Sequence, residues 1–298
     1  MIQTLYYEIA GHGVAIETPD ADAARRFMPG YEPFLLGRDA IGGACPEPVL
    51  HFALGKEIAV PAVPAVDDME NEGIRFRVYV TDGFVFATSE KNGVLHVMKA
   101  TRDWSKVETD ISLAGGPELI SFKAFITTAF GMAAAPYKTV KMHASCIEKN
   151  GEALLFMGVS GTGKSTHSRL WREFVPGCSL LNDDEPIVRI ADDGSVRVYG
   201  APWSGSTPCY RNVSARVAAF VHLHQSSENK LTRLSGLQAI SSMMLSAAVF
   251  RSNIQHKNRV FDTLSDALNT TPVYRLDCLP NRDAVRLTES LLSPGGRE

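Results

Sequence analysis

The sequence predicts an α/β domain in its second half, preceded by a β-rich module. Three observations carry this expectation. Gly158, Gly163, Lys164 and Ser165 stand at the spacing G-x-x-x-x-G-K-S, with a short apolar run before them and a stretch free of Gly and Pro after them. From Lys138 onward strand-like and helix-like segments alternate. Upstream, Ile74–Val80, Phe84–Thr88 and Val94–Met98 are β-rich runs separated by the turn signals Thr81-Asp-Gly83 and Glu90-Lys-Asn-Gly93. The boundary is expected near Pro136, giving a module over 1–136 and a P-loop domain over 137–298.

In the first module, Leu5–Thr18 and Pro48–Leu54 contain strand-like segments, and Asp20 is placed to cap a short helix over Ala21–Phe27. The three runs from Ile74 to Met98 form an antiparallel meander with one solvated face. Between Gly55 and Gly73 periodicity is lost, so Asp67–Glu72 reads as a loop with an acidic edge and not as a metal site. Glu118–Ala134 has Leu119, Phe122, Phe125, Ile126, Ala129 and Phe130 at helical spacing, a core-facing stripe ended by Pro136. His12, His51 and His96 stand alone and read as surface or core residues.

In the second module, Thr139–Ile147 is expected as a strand with Leu154–Gly158 as its hairpin partner, then the P-loop and a helix that stops before Pro176-Gly177. Cys178–Leu181 is a short strand delivering Asn182-Asp-Asp-Glu185 at its end. Val188–Ile190 and Ser195–Tyr199 flank the turn Ala191-Asp-Asp-Gly194. Val213–His224 reads as a buried strand, Ser235–Phe250 and Arg259–Leu268 as helices, Val273–Leu276 as a last strand and Arg282–Leu292 as a closing helix.

Composition sets the class. The chain has 298 residues, 45% hydrophobic and 21% charged, an ordinary globular balance with ample length for a core. A formal net charge of -3 without a basic cluster gives no attraction to nucleic acid or to an anionic membrane. Five widely spaced cysteines without C-x-x-C argue against a disulfide framework or zinc site and for a reducing cytosol. No signal peptide and no run approaching about 18 apolar residues is apparent, so the expected location is cytoplasmic.

The P-loop residues define the chemistry. Glycines at 158, 161 and 163 let the backbone wrap an anion with N–H groups inward, with Ser160, Thr162 and Thr166 completing the loop and the start of its helix. Lys164 supplies a point charge for the β/γ-phosphates, and the Ser165 hydroxyl is a hard ligand for Mg²⁺. The helix N-terminus favours phosphate further. Asp183 and Asp184 follow at a strand end; one carboxylate can hold Mg²⁺ and the other can take a proton from an incoming hydroxyl. His143, on the strand before the P-loop strand, either points into the same crevice or is a satisfied core residue. His167, inside the P-loop helix, reads as structural. Gly200-Ala-Pro-Trp-Ser-Gly205 is a candidate loop on the acceptor side, or an ordinary turn with a packing Trp203.

Met142-His143, the run Phe156–Thr166 and Asp183-Asp184-Glu185 together resemble the superfamily of HPr kinase/phosphorylase and ATP-dependent phosphoenolpyruvate carboxykinase. The resemblance covers about 138–225 well and the remainder in outline. It implies a carboxykinase/HPr kinase-like P-loop domain behind a β-rich N-terminal module, with ATP and Mg²⁺ as cofactors. It also implies His143, Lys164, Asp183 and Asp184 at a metal–phosphate centre, with the paired aspartates including a base that activates a hydroxyl. The expected function is an ATP/Mg²⁺-dependent phosphotransferase acting on an unidentified protein or small-molecule hydroxyl. The alternative is a nucleotide-binding regulatory or accessory protein that transfers nothing. Homo-oligomerisation is left open.

Overall fold

The computed structural model describes residues 2–37, 47–71, 73–113, 115–205 and 207–293; Cys45 and Glu72 lie outside them. The chain divides into two compact units. One comprises Met1–Ala135 with Phe250–His256, the other Pro136–Val249 with Lys257–Glu298.

The first unit is an eight-stranded mixed sheet in the order β1-β2-β3-β8-β7-β6-β5-β4. Its strands are β1 (Gln3–Ile9), β2 (His12–Thr18), β3 (Pro48–Ala53), β4 (Asp67–Asn71), β5 (Ile74–Val80), β6 (Phe84–Lys91), β7 (Val94–Thr101) and β8 (Lys106–Thr109). The expected antiparallel β5–β6–β7 meander is present, with Val80 opposite Val85 and Lys91 opposite Val94. Helix α1 (Ala21–Phe27) starts where Asp20 Oδ1 accepts from Ala23 N at 2.9 Å, the cap its sequence signals.

Three expectations for this unit change. Asp67–Asn71 is not a loop but the edge strand β4, paired with β5 alone. It carries no alternation because neither face is buried; Asp68 instead grips Arg75 at 2.8 and 2.6 Å. Leu119 is exposed, so the buried stripe of α2 (Gly116–Ala134) is Phe122, Phe125, Ile126, Ala129 and Phe130. Finally, Glu118–Tyr137 is long and apolar enough to cross a membrane by length and composition, yet most of it is buried within the protein. Core packing accounts for the same composition.

The second unit is a nine-stranded sheet with helices on both faces, a mixed α/β arrangement. Its strands are β9 (Thr139–Lys141), β10 (Ala144–Lys149), β11 (Glu152–Met157), β12 (Ser179–Asp184), β13 (Ile187–Ile190), β14 (Val196–Tyr199), β15 (Ser214–Gln225), β16 (Lys230–Leu234) and β17 (Val273–Cys278). The order is β12-β10-β11-β15-β14-β13-β9, with β17 on β15 and β16 on β17. Helices α3 (Lys164–Phe174) and α6 (Arg282–Glu289) bury Leu170, Trp171, Ala284 and Val285 against one face. Helices α4 (Gly236–Ser246) and α5 (Ile254–Ala267) cover the other through Ile240, Met243, Val260 and Leu264.

The expected single strand Thr139–Ile147 is two strands. At Met142-His143 the backbone leaves the ladder: Met142 N donates to Pro186 O at 3.0 Å and His143 N to Ser246 O at 2.6 Å. That break separates β9, which pairs with β13, from β10, which pairs with β11 and β12. The expected helix Ser235–Phe250 also stops early, at Ser246, whose carbonyl accepts from His143 N in this crossing. Strands β8 and β16 were not foreseen. Among the described residues Cys146, Cys178, Cys209 and Cys278 are free thiols.

Candidate functional site

Strand register builds the site. Ala144, the first residue of β10, pairs with Met157 at the end of β11 and with Asp184 at the end of β12. Because β10 runs antiparallel to both neighbours, the carboxyl ends of β11 and β12 meet its amino end at one sheet edge. His143, Asp183, Asp184 and the loop after Met157 therefore converge, though they lie up to 41 positions apart in the chain (143 to 184).

The loop itself has the local structure its glycines permit. Gly163 is left-handed (φ 99°) and is the N-cap of α3, so the helix opens on Lys164 as expected. Gly158 has φ 143°, and a Cβ there would lie 2.7 Å from Thr162 Oγ1. Thr162 Oγ1 donates to Val159 O at 2.8 Å, closing the turn.

Lys164 Nζ donates to Gly158 O at 2.9 Å and Val159 O at 3.2 Å, and lies 3.0 Å from His143 Nε2. His143 Nδ1 in turn is 3.4 Å from Asp184 Oδ1. The tautomer with its proton on Nδ1 satisfies both neighbours, Nε2 accepting from the ammonium while Nδ1–H faces the carboxylate. Burial lowers the Lys164 pKa, and the charges of Asp184 and Asp183 oppose that shift. On the other side, Ser165 Oγ donates to Asp183 Oδ1 at 3.0 Å. The two aspartates thus have different partners: Asp183 the P-loop serine, Asp184 the histidine.

A cavity of about 320 Å³ opens over these groups. Of the residues singled out by the sequence, His143, Ser160, Gly161, Gly163, Lys164, Ser165, Thr166, Asp183 and Asp184 border it. Gly158 and Thr162 are not among its walls. His167 is buried elsewhere, its Nε2 3.3 Å from Thr288 Oγ1 and its ring edge-on to Phe156, and desolvation pushes its pKa down to about 4.

Asp184 has φ 126°, a conformation rarely adopted by a residue with a Cβ. The loop Gly200–Gly205 secures it. Gly205 N donates to Asp183 O at 2.5 Å, Asn182 Nδ2 to Trp203 O at 2.9 Å, and Trp203 Nε1 to Glu185 O at 3.0 Å. Trp203 is buried, so its role is packing, and Gly205 alone of this loop borders the cavity. A Cβ at 205 would stand 3.0 Å from Asp184 Cβ and 3.1 Å from Asp183 O. Of the two readings of this loop, an acceptor-side surface or an ordinary turn with a packing Trp203, the buried Trp203 fits the second, and neither reading includes its bracing of the aspartates. The signal was a glycine whose close neighbour lies 21 residues away. Also missed was the pair of buried Lys141 with Glu185, at 3.0 Å.

Among the described residues no group of three or more His, Cys, Asp and Glu is arranged to hold a metal ion. Of the donors expected for Mg²⁺, Ser165 with Asp183 or Asp184, the hydroxyl of Ser165 and the carboxylate of Asp183 are already in contact. Such a sparse set fits a hard cation that keeps water and phosphate oxygens as its other ligands.

No family model matches the sequence, and no curated protein does. Among solved structures, the chain is similar to one described as the HPr(Ser) kinase/phosphatase from Coxiella burnetii. The match is 12% identical, covers 51% of this chain and 87% of that chain, and has a TM-score of 0.32. With so low a TM-score, fold and site rest on the geometry of this chain.

Proposed function

We propose that the second unit is a phosphotransferase that takes a Mg²⁺-bound nucleoside triphosphate, ATP in the first instance, and passes its terminal phosphoryl group to a hydroxyl acceptor. The observation that carries this reading is the double pairing of Ala144, which joins the P-loop lysine and serine to two aspartates with separate partners. Loop N–H groups and the N-terminus of α3 receive phosphate oxygens, and the Lys164 ammonium moves from the carbonyls it now contacts to the β/γ-phosphates. Ser165 and Asp183 would hold the cation, which when bound would supply positive charge beside the phosphates.

Asp184, away from Ser165 and beside His143, is the base. It accepts the acceptor's hydroxyl proton as that oxygen bonds to the terminal phosphorus, the bond to the bridging oxygen breaks and the nucleoside diphosphate leaves. His143 holds Asp184 and Lys164 in register through its two ring nitrogens. The strained backbone of Asp184, braced by Gly205, supports a functional over a structural role for that carboxylate.

The test is transfer of radiolabelled terminal phosphate from ATP to components of a cell extract, with Asp184→Asn alongside. Transfer by the wild type and loss in the variant, with nucleotide affinity kept, is the expected result. Wild-type protein that binds ATP tightly and labels nothing would instead be a nucleotide-controlled accessory protein. Absence of ATP binding would falsify both.

A further inference from the structure

The ladder between the two chain segments that carry the site breaks at one place. Asp184 of β12 pairs with Ala144 of β10, and Ile187 of β13 pairs with Lys141 of β9, both antiparallel and in one register. Between these pairs Met142-His143 faces Glu185-Pro186, outside the strands. Ordinary ladder bonds fail there for identifiable reasons. Pro186 has no N–H to give. The N–H of Glu185 turns back to Asn182 Oδ1 at 3.2 Å, and that of His143 goes to Ser246 O. The gap is spanned instead by Met142 N donating to Pro186 O at 3.0 Å and by Lys141 Nζ donating to Glu185 Oε2 at 3.0 Å.

The ion pair is largely shielded from water. Lys141 is buried, the Trp203 ring centroid lies 5.8 Å from its ammonium, and Trp203 Nε1 donates to Glu185 O at 3.0 Å. For folding alone such a pair has little advantage, since desolvation of two charges offsets their attraction and an apolar pair of similar volume is often as stable. Neither residue borders the charged cavity. Their place in the chain is what matters: Lys141 stands two residues before His143, and Glu185 directly follows the strained Asp184 (φ 126°).

We propose that Lys141 and Glu185 are positioning residues, whose ion pair replaces the missing ladder bonds and holds the Asp184 carboxylate against His143. The proposal rests on the phosphotransfer reading given above and adds to it two residues that act only through their neighbours. Without the pair Asp184 loses a tether, and a displacement of about 1 Å at a reacting group costs up to about 10² in rate. The groups assigned to phosphate and cation, Lys164, Ser165 and Asp183, keep their contacts.

Lys141→Met alone would leave the Glu185 carboxylate buried without its partner and is expected to destabilise the fold. The test is therefore the full-length double variant Lys141→Met/Glu185→Leu, an apolar pair in place of the ions. Thermal melting, ATP affinity by calorimetry, and the rate of radiolabelled phosphate transfer from ATP to cell-extract components are measured against the wild type. The expected result is an equal or higher melting temperature, ATP affinity within about threefold, and a maximal rate lower by about tenfold or more. Added to Asp184→Asn, the same double change lowers the rate by no more than about twofold further, because both act on one group. A wild-type maximal rate in the double variant overturns the proposal. So does an ATP affinity that falls as far as the rate, a lower melting temperature with normal rate per folded molecule, or a full further loss on top of Asp184→Asn. If the wild type transfers no phosphate, or Asp184→Asn transfers as fast as the wild type, the phosphotransfer reading fails and the positioning role with it.

Discussion

The two sides of the glycine-rich loop share one sheet edge and differ in almost everything else. On the β12 side the Lys164 ammonium lies 3.0 Å from the His143 imidazole, that ring lies 3.4 Å from Asp184, and Asp183 accepts from Ser165 at 3.0 Å. On the β17 side the corresponding positions carry Leu223, Gln225, Leu279 and Pro280. The backbone logic is the same in both: carboxyl ends of strands converge beside a helix N-terminus. Side-chain charge, not fold, distinguishes the two sides. Each side can therefore be broken separately.

The largest expected effect is on the charged side. Asp184→Asn keeps the shape of the side chain and removes the base, so turnover falls by about 10² or more while ATP affinity stays within about threefold. A variant with near-wild-type turnover would transfer the role of base to another group.

His167 gives the next effect, on the neutral side. Its folded pKa, about 4, lies below the ordinary 6.5, so the unfolded chain binds the proton more readily. Stability from this residue is fully present above pH 6.5 and is lost as pH falls from 6.5 towards 4, up to roughly 3 kcal/mol. Thermal melting of His167→Phe across this window is expected to show a shallower pH slope than the wild type. Parallel slopes would mean the ring is protonated or solvated in the folded protein.

Lys164→Ala removes the only ammonium that, among the described residues, borders the charged cavity. ATP binding weakens by more than about tenfold, ~1.4 kcal/mol or above, with Mg-tripolyphosphate, which carries the phosphates and no nucleoside, affected equally because both ligands present the same oxygens. Calorimetry that finds either affinity unchanged removes the central claim for the loop. His143→Gln is the mildest of the set. It keeps a donor and an acceptor in the side chain and leaves the His143 N bond to Ser246 O intact, so turnover drops about tenfold and stability moves within about 0.5 kcal/mol. A large loss of stability with normal turnover per folded molecule would make His143 a packing residue.

Much of the molecule was legible because local chemistry fixes local structure. Asp20 capped α1, the meander turns set β5–β7, and Gly163 opened α3 on Lys164. Lys164, Ser165, Asp183 and Asp184 could be singled out because phosphate and metal chemistry demand few residue types at a tight spacing. Less legible was β4, an edge strand with no buried face to impose alternation, and the break between β9 and β10, set by Ser246 and Pro186 far along the chain.

What the sequence determined by itself is the glycine-rich loop and the inventory of charged groups near it, since glycine freedom, lysine charge and carboxylate chemistry are properties of the residues. What only the tertiary structure decided is how those groups are apportioned. The pairing of Ala144 with both Met157 and Asp184 gives Asp183 to Ser165 and Asp184 to His143. The approach of Gly205 to within a Cβ's reach of Asp184 fixes the strained carboxylate. A neutral cavity on the other side of the loop arises only when β15 and β17 bring Leu223, Gln225 and Leu279 together from distant stretches of chain. Register, close approach and concavity are properties of pairs of segments, and no single stretch of sequence contains them.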